Sequence, residues 1–370
     1  MVLAVAFIQG FKYEIREKIF SFWGHVVVTD YSENASDFSL TQPIRYDAQL
    51  TGQINALPHV RQAQPFIIRP AILKTAQDME GIKLKGISAA YSFPEKMEWK
   101  GNKIDFGDSS YAKQIILSQS TADKLNIAPG EELQLYFIER GSTAPRIRKV
   151  TVAGVFHTGM VEVDKDYALC DLRMLQRING WQPDEINGYQ VDLDDYHYMD
   201  AVADRIFQDY LDAPLHSYTM KEVYATIFDW LELQNINAQI VLIIMAIVAI
   251  INLAVATVII IVEQARMIGI LKSMGMSRIP RIFIYHSLII AATGILLGNI
   301  LALGICFLQQ QTGFLRLDES TYYMKQVPVR IDLPTILLID AATLACCILF
   351  MWLPALYIRT IQPVRILQFK

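Results

Sequence analysis

A short segment rich in basic and apolar residues lies between two uncharged runs. Its residue types and spacing are the ones in this sequence that best indicate a function. Residues 263–290 carry a cluster of basic side chains, at Arg266, Lys272, Arg278 and Arg281. Ile268, Leu271, Met274 and Met276 stand among them at near-helical spacing, and Gly275 is a candidate C-cap. An amphipathic helix that shows apolar and basic groups to the cytosol can dock into a groove on a partner protein. A solvated connector with the ordinary cytoplasmic excess of positive charge has the same composition, so both interpretations stay open.

The elements on either side of this segment are predicted to cross a membrane. Apolar runs at about 238–262, 283–308 and 335–358 each reach the roughly 20 residues that a spanning helix needs. Basic residues follow the first run and the last one, so the positive-inside rule places the 263–282 loop and the C-terminus in the cytoplasm. The preceding residues 25–235 are therefore predicted to lie outside the cytoplasm.

The opening stretch is predicted to be the end of a truncated first transmembrane helix. MVLAVAFIQGF supplies only about ten apolar residues, which is too few to span. The charged and bulky residues that follow, up to residue 24, are predicted to form an interfacial helix. An interfacial anchor throughout is the alternative. The first interpretation gives three complete transmembrane helices plus the end of a fourth.

The region between the first helix and the next span alternates strand and helix signals. HVVVTD, FIIRPAILKT, IKLKGIS, ELQLYFIE and RKVTVAGVF are β-rich, and a further strand is predicted near 189–193. Helices are predicted at 48–57 and at 198–211, with a last one that starts near Met220 and continues into the membrane. The predicted fold class is an α+β extracytoplasmic domain inserted into an α-helical membrane domain.

The chemistry that the sequence lacks excludes several function classes. No G-x-x-x-x-G-K-[ST] motif is present, so the chain has no phosphate-binding loop of its own. The six histidines show no metal-binding spacing, and no Ser-His-Asp or Cys-His arrangement can be argued. A net charge of −4 without a basic stripe argues against a nucleic-acid binder. We therefore predict no catalytic residue and no metal site.

Small and polar residues within the spans are candidates for helix packing. Gly294, Gly298 and Ala302 form a small-xxx-small ridge, which is typical of close helix approach. Asp340 stands only a few residues into the last run, and we expect it to reach interfacial water.

Several stretches resemble one membrane-protein superfamily. EQARMIGILKSMGMSRIPRIFIYHSLI resembles the signature of FtsX-like permeases, in which a glutamate ends the second span before an Ile-Gly-Ile-Leu-Lys core and a small-residue turn. MVLAVAFIQGFKYEIREKIF and IQPVRILQFK are similar to that family's first-helix end and C-terminal tail. LSQSTADKLNIAPGEELQLYF and VTVAGVFHTGMVEVD are similar to the MacB-type periplasmic core, and STYYMKQVPVRID resembles the lipoprotein-releasing (LolC/LolE-type) branch. The resemblance covers nearly the whole chain.

This resemblance implies a domain organisation and a set of partners. A MacB-type periplasmic core is expected at 25–235 and an FtsX-like permease domain at 236–370, in a multi-pass inner-membrane protein. A separate ABC ATPase subunit would bind ATP and Mg, and this chain would bind no cofactor. A second permease chain, identical or different, would complete the complex. The residues expected to couple to the ATPase are Glu263, Arg266, Ile268, Gly269, Leu271, Lys272 and Gly275.

The resemblance also implies where cargo would lie. A lipoprotein or lipid-like cargo would be extracted from the outer leaflet of the inner membrane, bordered by Phe7, Phe11, Ala238, Val241 and Met245. A periplasmic carrier would contact a short hairpin at 138–149, for which the candidate residues are Arg140, Pro145 and Arg146. Two alternatives stay open: an FtsX-like transmembrane regulator of a cell-wall hydrolase, and a permease for peptide or drug efflux.

Overall fold

A computed structural model describes residues 1–31, 37–75, 78–94, 97–107, 110–138, 145–276 and 279–360. The chain divides into two compact units. The helical unit comprises Met1–Tyr13, Trp230–Leu317 and Lys325–Lys370. The sheet unit comprises Glu14–Asp229 and Asp318–Met324. The two ranges of the sheet unit are thus separated in sequence by more than eighty residues of the helical unit.

Twelve strands of the described residues build the sheet unit. Their bounds are β1 Val26–Asp30, β2 Ile44–Arg45, β3 Val60–Lys74, β4 Met79–Ile87, β5 Glu98–Gly101, β6 Gln114–Ser118, β7 Glu132–Phe137, β8 Arg146–His157, β9 Tyr167–Asp171, β10 Glu185–Ile186, β11 Gly188–Leu193 and β12 Leu215–Thr219. Ten of them form one sheet in the order β12-β1-β11-β3-β4-β9-β6-β8-β5, with β7 paired to β3 and β8, while β2 pairs with β10. The β4–β9 and β6–β8 pairs are parallel, so the sheet is mixed.

Short helices connect these strands, and four of the six have a side-chain cap at the N-terminus. They are α2 Ala48–Asn55, α3 Gln119–Lys124, α4 Val161–Asp166, α5 Leu172–Asn179, α6 Met199–Tyr210 and α7 Met220–Val223. The side chains of Asp47, Ser118 and Asp171 each accept a hydrogen bond from a free N–H group in the first turn of α2, α3 and α5. Thr219 and Glu222 form a capping box at α7. The sequence therefore fixes where most of these helices begin.

A buried cation ties the end of helix α1 (Val2–Trp23) to strand β4. Lys85 is completely buried, and its Nζ donates hydrogen bonds to the carbonyl of Phe22 and to Oε1 of Gln190, the latter at 2.7 Å. The same nitrogen lies 4.5 Å and 4.8 Å from the ring centroids of Phe22 and Trp23, within the range of cation–π attraction. Burial lowers the pKa of Lys85 to about 7.

Four helices dominate the helical unit beyond the first turns of the chain. They are α8 Ala225–Glu263, α9 Ala265–Ser273, α10 Ile279–Thr312 and α12 Leu333–Thr360, whereas α11 Glu319–Tyr322 belongs to the sheet unit. By length and composition, three segments of the described chain can cross a membrane: Ala225–Glu263, Arg281–Thr312 and Leu333–Phe350. A helix satisfies its own backbone hydrogen bonds, which is what a spanning segment requires.

Polar and small residues hold these helices together. Thr257 on α8 lies 3.0 Å from Ser287 on α10, oxygen to oxygen, and both side chains are buried. Asn299 on α10 donates a hydrogen bond to Asp340 on α12 at 2.6 Å, a partner for Asp340 that its sequence position did not indicate. Gly10 on α1 is buried where the backbone of 328–330 passes, and a Cβ there would collide with the Pro328 carbonyl.

Candidate functional site

The helix α9 is the predicted coupling segment, and its ends are defined by the backbone. α8 ends at Glu263, and Gln264 breaks the helical geometry before α9 begins at Ala265. At the other end Gly275 takes a left-handed conformation with φ of 86°. Its N–H donates to the Lys272 carbonyl, and the next N–H donates to the Leu271 carbonyl, which together make a Schellman motif. The predicted C-cap role of Gly275 thus has a structural basis.

One face of α9 is anchored in a buried apolar cluster. Ile268 is fully buried together with Ile261 from the end of α8 and with Ile279 and Phe283 from the start of α10. Leu271 and Ile260 pack against this cluster, and Gly269 is buried next to Ile268. Burying one such side chain is worth about 1.5–3 kcal/mol, so α9 is fixed to both neighbouring helices and not merely linked to them.

The opposite face of α9 is exposed and mixes apolar with charged groups. Met267 and Ile270 are nearly half exposed, and the side chains of Glu263 and Arg266 also face outward. Lys272 is half buried. Exposed apolar groups with an arginine among them match the composition of protein interfaces. Sequence reasoning missed Met267 and Ile270, although their spacing of three residues, offset from Ile268 and Leu271, is the signal that would have found them.

The residues predicted to border cargo lie on α1 and α8. The rings of Phe11 and Trp230 meet edge to face, with their centroids 5.6 Å apart. Further along α8, Val241 and Met245 are exposed, whereas Ala238 and Phe7 are half buried. Exposed aliphatic side chains on a spanning helix can contact lipid or an acyl chain equally well, so the cargo role of these five residues stays a prediction.

The predicted packing ridge on α10 and the predicted carrier-contact hairpin at 138–149 have few contacts among the described residues. At Gly294 and Gly298 nothing described in this chain comes within 4 Å of where a Cβ would be, and Ala302 is half buried. No described helix of this chain therefore supplies the predicted close packing at these two glycines.

Of the three residues predicted to contact a carrier, Pro145 is exposed and Arg146 donates a hydrogen bond to the Ile178 carbonyl at 2.5 Å. Arg140 lies outside the described residues.

Across the described ranges, no three His, Cys, Asp or Glu side chains converge in a way that could hold a metal ion. A histidine of the sheet unit, His157, instead lies between two carboxylates, at 2.8 Å from Asp164 and 2.7 Å from Glu319. Sequence reasoning did not single out any of these three residues.

Comparison with known proteins agrees with the architecture. The MacB-like periplasmic core domain family matches residues 1–208, more than half of the chain, and the FtsX-like permease C-terminal family matches residues 239–363. The lipoprotein-releasing system transmembrane protein LolC of Xylella fastidiosa (strain Temecula1) is 22% identical over 100% of this chain and 90% of its own length. LolE of Haemophilus influenzae is 21% identical over 99% of this chain and 90% of its own length.

Among solved structures, the periplasmic region of MacB from Actinobacillus actinomycetemcomitans is 13% identical, with a TM-score of 0.39, over 55% of this chain and 92% of that region. The family assignment rests on the sequence matches, which confirm the resemblance seen in the motifs. The chain thus belongs to the FtsX-like, MacB-type superfamily of ABC transporter permeases, and is a multi-pass inner-membrane protein whose sheet unit lies in the periplasm.

Proposed function

We propose that this permease subunit extracts lipoproteins, or lipid-like cargo, from the outer leaflet of the inner membrane. The observation that supports its coupling role best is α9, which is anchored by Ile268 on one face and exposes Arg266, Met267 and Ile270 on the other. The relatives named as lipoprotein-releasing proteins match over the full chain, and they favour this cargo class. ATP and Mg would bind to a separate ATPase subunit, and this chain would be non-catalytic.

The geometry of α9 suggests how work would pass into the membrane. An ATPase that closes on ATP would push the exposed face of α9. Because Ile268 is buried with residues from both α8 and α10, the displacement would reach both spans together. Interiors are close-packed and transmit such shifts with little compression. Acyl chains bordered by Phe7, Phe11, Ala238, Val241 and Met245 would then be expelled towards the periplasm, where a carrier protein would receive them.

Two permease chains and two ATPases are the expected assembly, with the second permease identical or different. The alternatives are a regulator of a cell-wall hydrolase and a permease for peptide or drug efflux. Relatives that match over the full chain are named for lipoprotein release, which favours the first function over both alternatives.

A purification tests the proposal directly. The full-length gene product is isolated in gentle detergent, and the copurifying proteins and lipids are identified by mass spectrometry. We expect a P-loop ATPase together with an acylated lipoprotein. An ATPase together with a cell-wall hydrolase would favour the regulator instead. Recovery without any ATPase, repeated with a membrane-scaffold preparation, would contradict the coupling role of α9.

A further inference from the structure

The segment Asp318–Met324 stands out because it follows α10 in the chain yet belongs to the sheet unit. We call it the strap. It contains α11 and lies between the last two spanning segments in sequence. A connection whose only task is to join two helices needs no specific partners, since loops are normally solvated. The strap has several partners on the periplasmic domain.

The first set of contacts centres on His157 at the end of β8. Its Nε2 lies 2.7 Å from Oε1 of Glu319 on the strap, and its Nδ1 lies 2.8 Å from Oδ2 of Asp164 on α4. Asp164 is itself fixed, because it accepts hydrogen bonds from the N–H and hydroxyl of Thr158 and from the N–H of Gly159, at 2.7–3.0 Å. A protonated His157 between two carboxylates makes two charge-assisted hydrogen bonds, which are stronger than neutral ones.

A second set of contacts holds the other end of the strap. Nζ of Lys18, on α1, donates to the carbonyl of Tyr323 at 2.5 Å, and the hydroxyl of Tyr323 donates to Oε1 of Glu162 on α4 at 2.9 Å. Met324 is buried. Gly159 passes so close that a Cβ there would meet Lys18 and the Tyr323 carbonyl. Side chains from α1, α4 and β8 therefore form hydrogen bonds with both ends of the strap.

The base of the strap is fixed within the helical unit. The N–H of Leu317 donates to the carbonyl of Lys325 at 3.1 Å, and that of Val327 donates to the carbonyl of Leu315 at 3.0 Å. Gln309, near the end of α10 and 1% exposed, bonds to the backbone of both Leu315 and Val327. The end of α10 and both flanks of the strap are therefore joined by hydrogen bonds within the helical unit.

We propose that the strap is a positioning element of transport, which makes the periplasmic domain follow the last two spans during the ATP cycle. Glu319, His157 and Lys18 are the positioning residues, and they act without touching the cargo. The inference rests on the proposed function, since it assigns to these residues a part in the movement that expels cargo. The covalent connections alone would let α10 and α12 move while the domain lags behind; the strap's bonds remove that freedom.

The charge of His157 gives the strap a defined pH dependence. Hydrogen bonds to Asp164 and Glu319 raise the pKa of His157 above its usual 6.5, against the opposing effect of burial. The groups that face it are Asp164 from α4 and Glu319 from the strap, with Glu162, Tyr323 and Lys18 beside them. Because the folded-state pKa is raised, the stabilisation is complete below 6.5 and is lost as pH rises through the folded value.

We therefore expect the strap amides to be protected from hydrogen exchange near pH 6 and to lose protection at mildly alkaline pH, after correction for intrinsic exchange rates. In His157→Asn the protection should be low at both pH values. Asp194→Asn, which removes the acid of the exposed His59–Asp194 pair, is the matched control and should behave as wild type. Equal protection at both pH values in the wild type would overturn the assignment of His157 as the group that holds the strap.

The transport role is tested in the complete complex, reconstituted in liposomes with a triacylated lipoprotein. In Glu319→Ala we expect ATP hydrolysis at the wild-type rate and about tenfold less lipoprotein released per ATP, because loss of a hydrogen bond between charged groups shifts the equilibrium between held and released strap by about that factor. Asp194→Ala is the control and should keep the wild-type ratio. Joining His157→Cys and Glu319→Cys by a short bifunctional thiol reagent should restore the ratio, because the tie is then covalent. Glu319→Ala and Lys18→Met with wild-type release per ATP would overturn the proposal.

Failure of the proposed function has a different outcome from failure of the strap. If the wild-type complex hydrolyses ATP and releases no lipoprotein, the cargo assignment is wrong. The strap is then tested by measuring the distance between two fluorophores. One is attached at the exposed Met79 position of β4 and the other at the exposed Leu337 position of α12. Their distance should change with ATP far less in the wild type than in Glu319→Ala. An equal change in both would overturn the strap.

Discussion

Complexes that carry Gly269→Glu are expected to hydrolyse ATP while releasing almost no cargo. Gly269 is buried on α9 beside Ile268, so a glutamate there must desolvate its carboxylate or push α9 out of the apolar cluster. An unpaired buried charge costs on the order of 3–5 kcal/mol, which is more than burial of Ile268 returns. α9 would then move without α8 and α10. The measurement is ATPase rate and lipoprotein release in the same liposomes.

Ser273→Glu is the matched control for this prediction. It adds the same charge to the same helix at an exposed position, where the cost near a helix C-terminus is only about 0.3–1 kcal/mol. We expect release close to wild type. Because Gly269 and the sheet belong to different units, the periplasmic domain should stay folded in both variants. Normal release by Gly269→Glu would contradict the role of the buried face of α9.

Lys85→Ala is expected to lower the free energy of unfolding of the sheet unit by about 3–5 kcal/mol. The substitution leaves the Phe22 carbonyl and Oε1 of Gln190 without their donor, and it opens a cavity beneath the Phe22 and Trp23 rings. A buried acceptor without a donor bears its full desolvation cost. Urea titration of the whole chain, followed by hydrogen exchange of the β4 amides, measures the change.

Lys83→Ala provides the comparison on the same strand. Lys83 lies two residues earlier on the same face and pairs with Asp37 at 3.1 Å, but both side chains are about 30% exposed. A partly solvated pair of this kind is worth no more than about 1 kcal/mol. We expect a small shift of the urea midpoint. Similar losses in the free energy of unfolding for Lys83→Ala and Lys85→Ala would mean that the buried contacts of the Lys85 ammonium do not contribute to the stability of the sheet unit.

Local patterns predicted many elements of the periplasmic domain and missed others. The strand at Val26–Asp30 and the helix at Ala48–Asn55 are confirmed, because alternation and capping are visible within a few residues. Helix α5 was missed, although the Asp171 cap and the Gly180 stop were its signals. Strand β12, LHSYT, has a weak pattern of its own and exists because it pairs along β1. Pairing partners remote in sequence override weak propensity in such cases.

Local sequence patterns likewise predict some features of the candidate sites and not others. Periodicity grouped Ile268, Leu271, Met274 and Met276, and the structure anchors the first two in the apolar cluster. Met274 and Met276 follow the end of α9 at Ser273 and are exposed, so that part of the prediction is wrong. Which residues cover Ile268 could not be predicted, since Ile279 and Phe283 belong to the next helix. The contact between His157 and Glu319 joins residues 162 positions apart and leaves no local pattern. Only the fold reveals that the strap is held.

The discontinuity of the periplasmic domain also orders its assembly. Residues 14–229 can fold as soon as they are exported, whereas Asp318–Met324 follow only after residues 230–317 have been made. At about 5–20 residues per second, this delay lasts several seconds of synthesis. During that interval His157 and Glu162 lack their strap partners, Glu319 and Tyr323, which reach the periplasm only when α10 has inserted in the correct direction. Closure of the strap would thus require that α10 has crossed the membrane in the direction that brings Glu319 and Tyr323 to the periplasmic side.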